Sequence, residues 1–374
     1  MNVSASIDRV EELFLSGEPR DALVELSQLI GDLTEVSPTA REEALRVIVS
    51  RIDHEELQLG AHLALAAGAL VEGGLDARPL ARAVVAPLAR ALAASKRFVE
   101  RAEAMPHAGD DVDGLSVGDK VLANESVDAI AEDDHESVAA FFSLDTWYRP
   151  AVAAFTRDVP TLREAQRDGA FDASLGALQG KSPAAHWIAI LRKVLFDGAF
   201  VVVFPEIDEA YAFTSWGVAD MGQMFVLLAD ALHEPLARIG VTERPAANVV
   251  ASMRGDQPDE RGTFEATFHL YAWQAFEPRT GLPRDGRFSW SAPGGTGNHS
   301  LPADFLPADI TPLRDATRVL LCVGPDAEGG VRFSRSFDAV RTFSSLPARI
   351  EGVRKLDADD VAAWKRAMTA KIAS

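Results

Sequence analysis

The histidines and carboxylates of the N-terminal half are the first side chains whose types could support chemistry. Asp53, His54 and Glu55 precede His62, and the pattern predicts a single helix that contains all four. Because eight residues make about two helical turns, His54 and His62 would lie about 12 Å apart. One metal ion cannot reach both, and the spacing differs from the one-turn HExxH pattern of metalloproteases. The sequence therefore favours one exposed and one partly buried histidine over a metal site.

A second acidic cluster occupies consecutive positions, Asp133, Asp134, His135 and Glu136. Carboxylates in this number could bind a divalent cation. On a helix, however, consecutive side chains point in different directions, and only residues three or four apart face each other. We interpret the cluster as a solvated helix face, so the sequence predicts no metal ligands.

An acid and a histidine also share one face of a predicted strand. Glu265 and His269 are four residues apart, about 13 Å along a strand, and His299 and Asp304 follow in a long loop at 277–316. A serine hydrolase needs a serine, a histidine and an acid together, usually at a strained nucleophile turn, and no GxSxG sequence is present. These four residues are the candidates for an enzyme of unfamiliar type, with its site under that loop.

The most glycine-dense stretch is APGGTGNH at 292–299. Glycines allow backbone amides to approach a phosphate. This stretch has no strong preceding strand, no following helix and no GKS or GKT, so it is neither a P-loop nor a dinucleotide fingerprint. We interpret it as a surface loop, and the sequence predicts no cofactor.

Aromatic and arginine side chains are concentrated near the same loop. Trp, Tyr and Arg are enriched at protein interfaces, although aromatic residues are also ordinary core residues. We predict a protein-binding surface rather than a catalytic site. Its residues are Tyr271, Trp273, Arg279, Arg284, Arg287 and Trp290.

The elements that must position these residues are clearest between 182 and 235. A serine and a proline at 182–183 can start a helix that ends at the Asp-Gly pair at 197–198. The apolar run FVVVF at 200–204 predicts a strand that is covered on both faces, and alternation at 211–216 predicts a second. Asp220 can cap the helix that follows.

Residues 1–105 predict helices throughout. The segment LFLSGEPRDALVELSQLI resembles one unit of a tetratricopeptide-type helical hairpin, and no self-similar period follows it. Pro87 is expected to kink or split the last of these helices. The stretch at 106–119 is rich in Gly and Asp and predicts a linker, and 120–180 predicts helices that pack on the C-terminal domain.

The C-terminal domain is predicted to span 181–374. Strands are expected at 246–254, 263–273, 318–323 and 331–337, and a helix capped by Asp357 at the end. The predicted class is α+β: an N-terminal all-helical region followed by a C-terminal domain with a mainly antiparallel sheet packed by helices, one face of which is partly open.

Composition narrows the functional classes. The net charge of −19 over 374 residues disfavours nucleic acid and anionic membranes as partners, because binding phosphate takes clustered Lys and Arg. The single cysteine, Cys322, excludes a disulfide within the chain and suits a reducing compartment. No signal peptide or membrane-spanning run is expected. The high Arg and Ala content is associated with GC-rich bacterial genomes, so we expect a bacterial cytosolic protein.

The favoured hypothesis is a non-enzymatic protein-binding or adaptor protein that uses helical and aromatic–arginine surfaces. The first alternative is the enzyme with its site under the 277–316 loop. The second is a scaffold or protease substrate in a multi-protein bacterial defence or secretion system, in which the acidic linker would be the accessible cleavage site. Neither the partner nor the oligomeric state follows from the sequence.

Overall fold

The fold is given by a computed structural model of the chain. It describes residues 2–105, 126–169, 171–204, 206–242, 244–256, 265–269, 273–275, 306–322, 332–336 and 342–372. The strands at 265–269, 273–275 and 332–336 are described by their backbone alone. The chain forms two compact units, Met1–Arg192 and Lys193–Ser374.

The first unit is helical, as predicted. Its described helices are α1 (Val3–Leu15), α2 (Pro19–Thr34), α3 (Pro38–Val49), α4 (Leu57–Glu72), α5 (Arg78–Ala104), α6 (Ser126–Phe155), α7 (Val159–Asp168), α8 (Asp172–Leu178) and α9 (Pro183–Lys193), which reaches the boundary between the units. Helix α3 is capped by Ser37, because the Ala40 amide donates to Ser37 Oγ at 3.3 Å. Helix α5 runs through Pro87 as one helix, so of the two outcomes expected there, a kink or a split, the split is wrong.

Helix α6 packs against α4 and α5, and small residues allow this close approach. A side chain at Gly60 would meet the Trp147 ring at 3.3 Å, and one at Gly68 would meet Pro150 at 3.1 Å. Trp147 is fully buried as a result. Residues 120–180 were expected to pack on the C-terminal domain. The structure places 126–192 in the first unit instead, since α6 buries its apolar face among the N-terminal helices.

A kink interrupts α6 at Asp134, whose backbone angles, φ −148° and ψ 64°, are not helical. The Asp134 carboxylate accepts a hydrogen bond from the Ser137 amide at 3.2 Å and so caps the second half of the helix. Arg97 of α5 binds Asp134 and Glu136, and Arg101 binds Asp133 at 3.0 Å. The acidic cluster is largely solvated, as expected, because Asp133, His135 and Glu136 are exposed. It joins α6 to α5 through arginines that lie 32 to 39 residues earlier in the chain.

Replacing Asp134 with alanine is expected to lower the free energy of unfolding of the first unit by about 1 kcal/mol, the usual cost of losing a helix cap. Urea denaturation followed by circular dichroism measures this effect. Asp145→Ala, an exposed aspartate on the same helix, is the control and should cost less. Equal losses in the two variants would show that the cap contributes nothing.

The second unit contains a five-stranded sheet with the order β4-β5-β1-β2-β7 and a two-stranded sheet of β3 and β6. The strands are β1 (Gly198–Phe204), β2 (Glu209–Trp216), β3 (Glu265–His269), β4 (Trp273–Ala275), β5 (Arg318–Cys322), β6 (Arg332–Ser336) and β7 (Arg349–Lys355). The described helices are α10 (Met221–Ala231), α11 (His233–Arg238), α12 (Ala247–Arg254) and α13 (Ala358–Ile372), with a 3-10 turn at Pro307–Asp309.

The sheet is mainly antiparallel, as predicted, and only β1 and β5 pair in parallel among its described strands. Strand β1 lies at the centre and is covered on both faces. Phe200, Val202 and Phe204 face the cluster that contains α10, whereas Val201 and Val203 face the cluster that contains residues of α13. The prediction from the uninterrupted apolar run is confirmed.

Three elements differ from the sequence prediction. Residues 263–273 were expected to form one strand, but β3 ends at His269 and β4 begins at Trp273 in a different sheet. Residues 246–254 were expected to form a strand, but 247–254 form helix α12. Its buried residues, Val250 and Met253, are three apart, which is a helical spacing, and the helix ends at Gly255 with φ +76°. Strand β7 was not anticipated because its sequence, RIEGVRK, is charged and contains a glycine. It is an edge strand exposed along almost its whole length, so its side chains do not need to be apolar.

Candidate functional site

The predicted binding residues lie almost entirely outside the described part of the chain. This holds for Tyr271, Arg279, Arg284, Arg287 and Trp290. The backbone of Trp273 is described, and it pairs with Cys322 in β4 and β5. Whether these side chains form one surface stays a prediction.

Only two of the four candidate residues of the enzyme hypothesis lie in the described part of the chain. Glu265 and His269 lie in β3, where their backbones pair with Ser336 and Arg332, whereas 299 and 304 lie outside the described residues.

In the N-terminal half, α4 begins at Leu57, so His54 precedes the helix and does not share it with His62 as expected. The Nδ1 atom of His54 accepts a hydrogen bond from the Glu56 amide at 2.9 Å. Across the described residues, no group of three or more His, Cys, Asp or Glu side chains is placed to hold a metal ion.

One group of ionisable side chains does converge in the second unit, at the junction of β2, β7 and α11. Glu209 is the first residue of β2, and its side chain is only 11% exposed. Its Oε1 atom accepts hydrogen bonds from Arg238, at 2.8 Å, and from Lys355. Its Oε2 atom accepts one from the Tyr211 hydroxyl at 2.9 Å. We call these four residues the Glu209 cluster.

The environment of the Glu209 cluster shifts two pKa values away from neutrality. Burial would raise the pKa of Glu209, but the hydrogen bonds from Lys355, Arg238 and Tyr211 outweigh it and lower the pKa to about 2. Burial and the hydrogen bond to Glu209 raise the pKa of Tyr211 to about 12. Glu209 thus stays ionised and Tyr211 stays protonated at neutral pH. An efficient general acid or base has a pKa near the working pH, so the Glu209 cluster fits an anchor between elements better than proton transfer.

The cysteine thiol is similarly unsuited to chemistry. Cys322 is fully buried in β5. Burial, with a smaller contribution from Glu206, raises its pKa well above the usual thiol value. Because the thiolate is the nucleophile, a thiol that stays protonated is inert at neutral pH.

A second convergence joins aromatic and arginine side chains at the end of β2. The rings of Phe196 and Trp216 meet edge to face, with centroids 5.2 Å apart. The Arg349 guanidinium of β7 lies 5.3 Å from the centroid of the Trp216 ring, and Arg349 also pairs with Glu351. The Arg349 side chain is 49% exposed. We call Phe196, Trp216 and Arg349 the aromatic–arginine surface.

This surface lies on the sheet face that carries α13, but beyond the apolar cluster under that helix. The cluster includes Ala210 and Ala212 from the start of β2 and does not include Trp216. The half-buried Trp216 and the exposed β7 therefore leave this end of the sheet face partly uncovered within the described residues. The open face predicted from the alternation at 263–273 concerns side chains outside the described part of the chain and stays a prediction. The sequence predicted that Trp216 lies on a strand. Because strand β7 was not predicted, the contact between Trp216 and Arg349 was not predicted either.

The described part of the first unit has a shallow hollow of about 270 Å³, including space open to solvent. Its lining is mostly apolar and includes Phe155, Phe171, Ile188 and Leu191. The one charged side chain in the lining, Arg192, pairs with Asp172. This hollow has the character of a packing gap between α6, α7 and α9.

Comparisons with protein-family models, with curated proteins and with solved structures find no match for this chain. Among the helices that the structure describes, none is long and apolar enough to cross a membrane.

Proposed function

We propose that the protein acts by binding another protein, as a non-enzymatic adaptor, and that the aromatic–arginine surface takes part in this binding. The observation that carries the proposal is the stacking of the half-exposed Arg349 on the Trp216 ring at the open edge of the sheet. Tryptophan and arginine are the residue types most often responsible for binding energy at protein interfaces.

The geometry favours binding because the contact is already ordered. Phe196 supports the Trp216 ring from its edge, and strands β2 and β7 hold Trp216 and Arg349 as directly paired residues. A side chain that is already fixed loses less conformational entropy when a partner docks. A guanidinium stacked on an aromatic ring also keeps its N–H donors in the plane, where a partner's carboxylate or carbonyl can accept them.

The ionisable groups of the Glu209 cluster support a non-catalytic role for that part of the molecule. Their pKa values of about 2 and about 12 place both groups far from the range in which side chains exchange protons at neutral pH.

The enzyme hypothesis for the 277–316 loop and the scaffold or protease-substrate hypothesis for the linker remain the alternatives. A bacterial cytosolic location is proposed from composition alone.

The test is a charge reversal at the surface. Arg349→Glu is expected to remove a partner that co-purifies with the wild-type protein at fixed stoichiometry from cells of its source. The affinity should fall at least about 30-fold, because interface residues of this kind contribute about 2 kcal/mol or more. Quantitative mass spectrometry of the complex, followed by titration of the isolated partner, measures both effects.

Arg314→Glu is a matched control in the same unit. Arg314 stacks over Trp364 at 6.0 Å, pairs with Asp315 and is 55% exposed, so the substitution changes the same chemistry at another place. The control should keep the partner. Equal binding by both variants, or no partner at fixed stoichiometry with the wild-type protein, would refute the proposed function.

A further inference from the structure

The outer face of the α1–α2 hairpin exposes more large apolar side chains than any other described stretch of similar length. Six large hydrophobic side chains are exposed in the described residues, and three of them fall between 15 and 24. Leu15 is 65% exposed, Val24 58% and Leu23 36%. Single exposed apolar residues need no explanation, but half of the total within ten residues does.

The connection of the hairpin keeps Leu15 close to the first two turns of α2, which contain Leu23 and Val24. Leu15 follows the buried Leu13 by two positions, and Val24 follows the buried Ala22 by two, so each points about 200° away from its helix's core face. The connection at 16–18 is closed by the hydrogen bond from the Glu18 amide to the Leu13 carbonyl at 2.9 Å. The end of α1 therefore lies beside the start of α2, and both exposed residues lie within about two turns of that connection.

The hairpin is also strongly acidic. Between 3 and 34 the chain has seven acidic and two basic residues, a net charge of −5, which equals the net charge of the whole second unit. Arg51 pairs with Asp8 and Glu11, and Arg9 pairs with Glu12. Among the described residues, the remaining four acids form no ion pair: Glu18, Asp21, Glu25 and Asp32.

We propose that this face is the binding site for a basic amphipathic helix of a partner protein. The apolar side of such a helix would cover Leu15, Leu23 and Val24, and its lysines and arginines would meet the unpaired carboxylates. Helix-on-helix packing suits a two-helix ridge, and apolar anchors with flanking charges are the usual form of helix recognition. The negative charge of the hairpin repels anionic lipid and nucleic acid. Among the classes of partner, a basic protein segment therefore fits this face best. This site is separate from the aromatic–arginine surface, and the proposal does not depend on that surface.

The experiment uses the full chain and a defined probe, an 18-residue helical peptide with leucines on one face and lysines on the other. Isothermal titration at physiological salt should show binding to the wild-type protein. Leu15→Ser with Val24→Ser should weaken it at least about tenfold, since two apolar contacts are lost while the charge is unchanged. Val353→Ser, at the exposed valine of β7, should leave the affinity unchanged.

Three results would overturn the proposal. If the double variant binds the peptide as the wild type does, the interaction is bulk charge attraction and the apolar face plays no part. If a peptide of the same design with glutamates in place of lysines binds equally well, the charge argument is wrong. If sedimentation shows self-association that the double variant loses, the occupant is a second copy of this chain. Neither the peptide titration nor these outcomes depend on Arg349, so this test and the test of the proposed function can fail separately.

Discussion

Replacing Gly217 with alanine is expected to unfold the second unit at room temperature or to leave it marginally stable. Gly217 lies between β2 and α10 with φ +67°, and a Cβ atom there would lie 2.0 Å from the Pro347 carbonyl oxygen. The obstacle is backbone rather than a flexible side chain, so no rotamer change relieves it. The Gly217 amide also donates to the Leu195 carbonyl at 2.8 Å, which holds the residue in place. Left-handed strain and overpacking each cost about 1–3 kcal/mol, so the loss should exceed about 3 kcal/mol.

Gly352→Ala separates the two contributions. Gly352 has nearly the same backbone conformation, φ +62°, but nothing lies within 4 Å of a Cβ atom there. The free energy of unfolding of Gly352→Ala should therefore fall only by the cost of the backbone strain, about 1 kcal/mol. Hydrogen exchange of β1 and β2 peptides measures the stability of the second unit directly and does not assume that both units unfold together. Similar protection in Gly217→Ala and Gly352→Ala would show that the chain at 347 can move aside.

Replacing Glu209 with glutamine is expected to destabilise the second unit by up to about 3 kcal/mol at neutral pH. The substitution keeps the shape of the side chain but removes the charge that Lys355 and Arg238 share. The magnitude follows from the pKa of Glu209, which the fold lowers from 4.5 to about 2, since one pKa unit corresponds to about 1.4 kcal/mol. Glu209 is nearly buried, so solvent screens this interaction less than it screens a surface pair.

The same shift predicts how the effect depends on pH. Because the folded-state pKa is lower than the unfolded one, the ionised carboxylate stabilises the fold fully above pH 4.5, and this contribution is lost as the pH falls towards 2. The difference between the wild type and Glu209→Gln should therefore be constant from pH 7 to about pH 5 and shrink below that.

The neighbouring carboxylate provides the control for this prediction. Asp208 pairs with Lys365 but is 76% exposed, and Asp208→Asn should cost well under 1 kcal/mol at any of these pH values. Urea titrations at pH 7, 5 and 3, followed by hydrogen exchange of β2, provide the comparison. A difference between wild type and Glu209→Gln that stays the same down to pH 3 would mean that the carboxylate charge does not stabilise the fold.

The sequence by itself determined the elements whose signals are local. Apolar spacing predicted the N-terminal helices, the α1–α2 hairpin and strand β1. Side chains that bond to a nearby backbone amide predicted the helix starts at Asp220 and Asp357, and each accepts the expected hydrogen bond. The uninterrupted apolar run at 200–204 also predicted that β1 is covered on both faces. These features need only interactions between residues a few positions apart, or the average preference of apolar side chains for a core.

Only the tertiary structure decided the features that depend on distant residues. The sequence of β7 has no strong strand pattern, and this strand forms because its backbone pairs with β2. Segment 247–254 contains two adjacent valines, yet contacts across the core select the helix, because local preferences are small beside burial. Glu209 and Lys355 are 146 residues apart, and Trp216 meets Arg349 across two strands. No pattern in the sequence brings such pairs together, since their contact energy is gained only after the chain has closed the long loop between them.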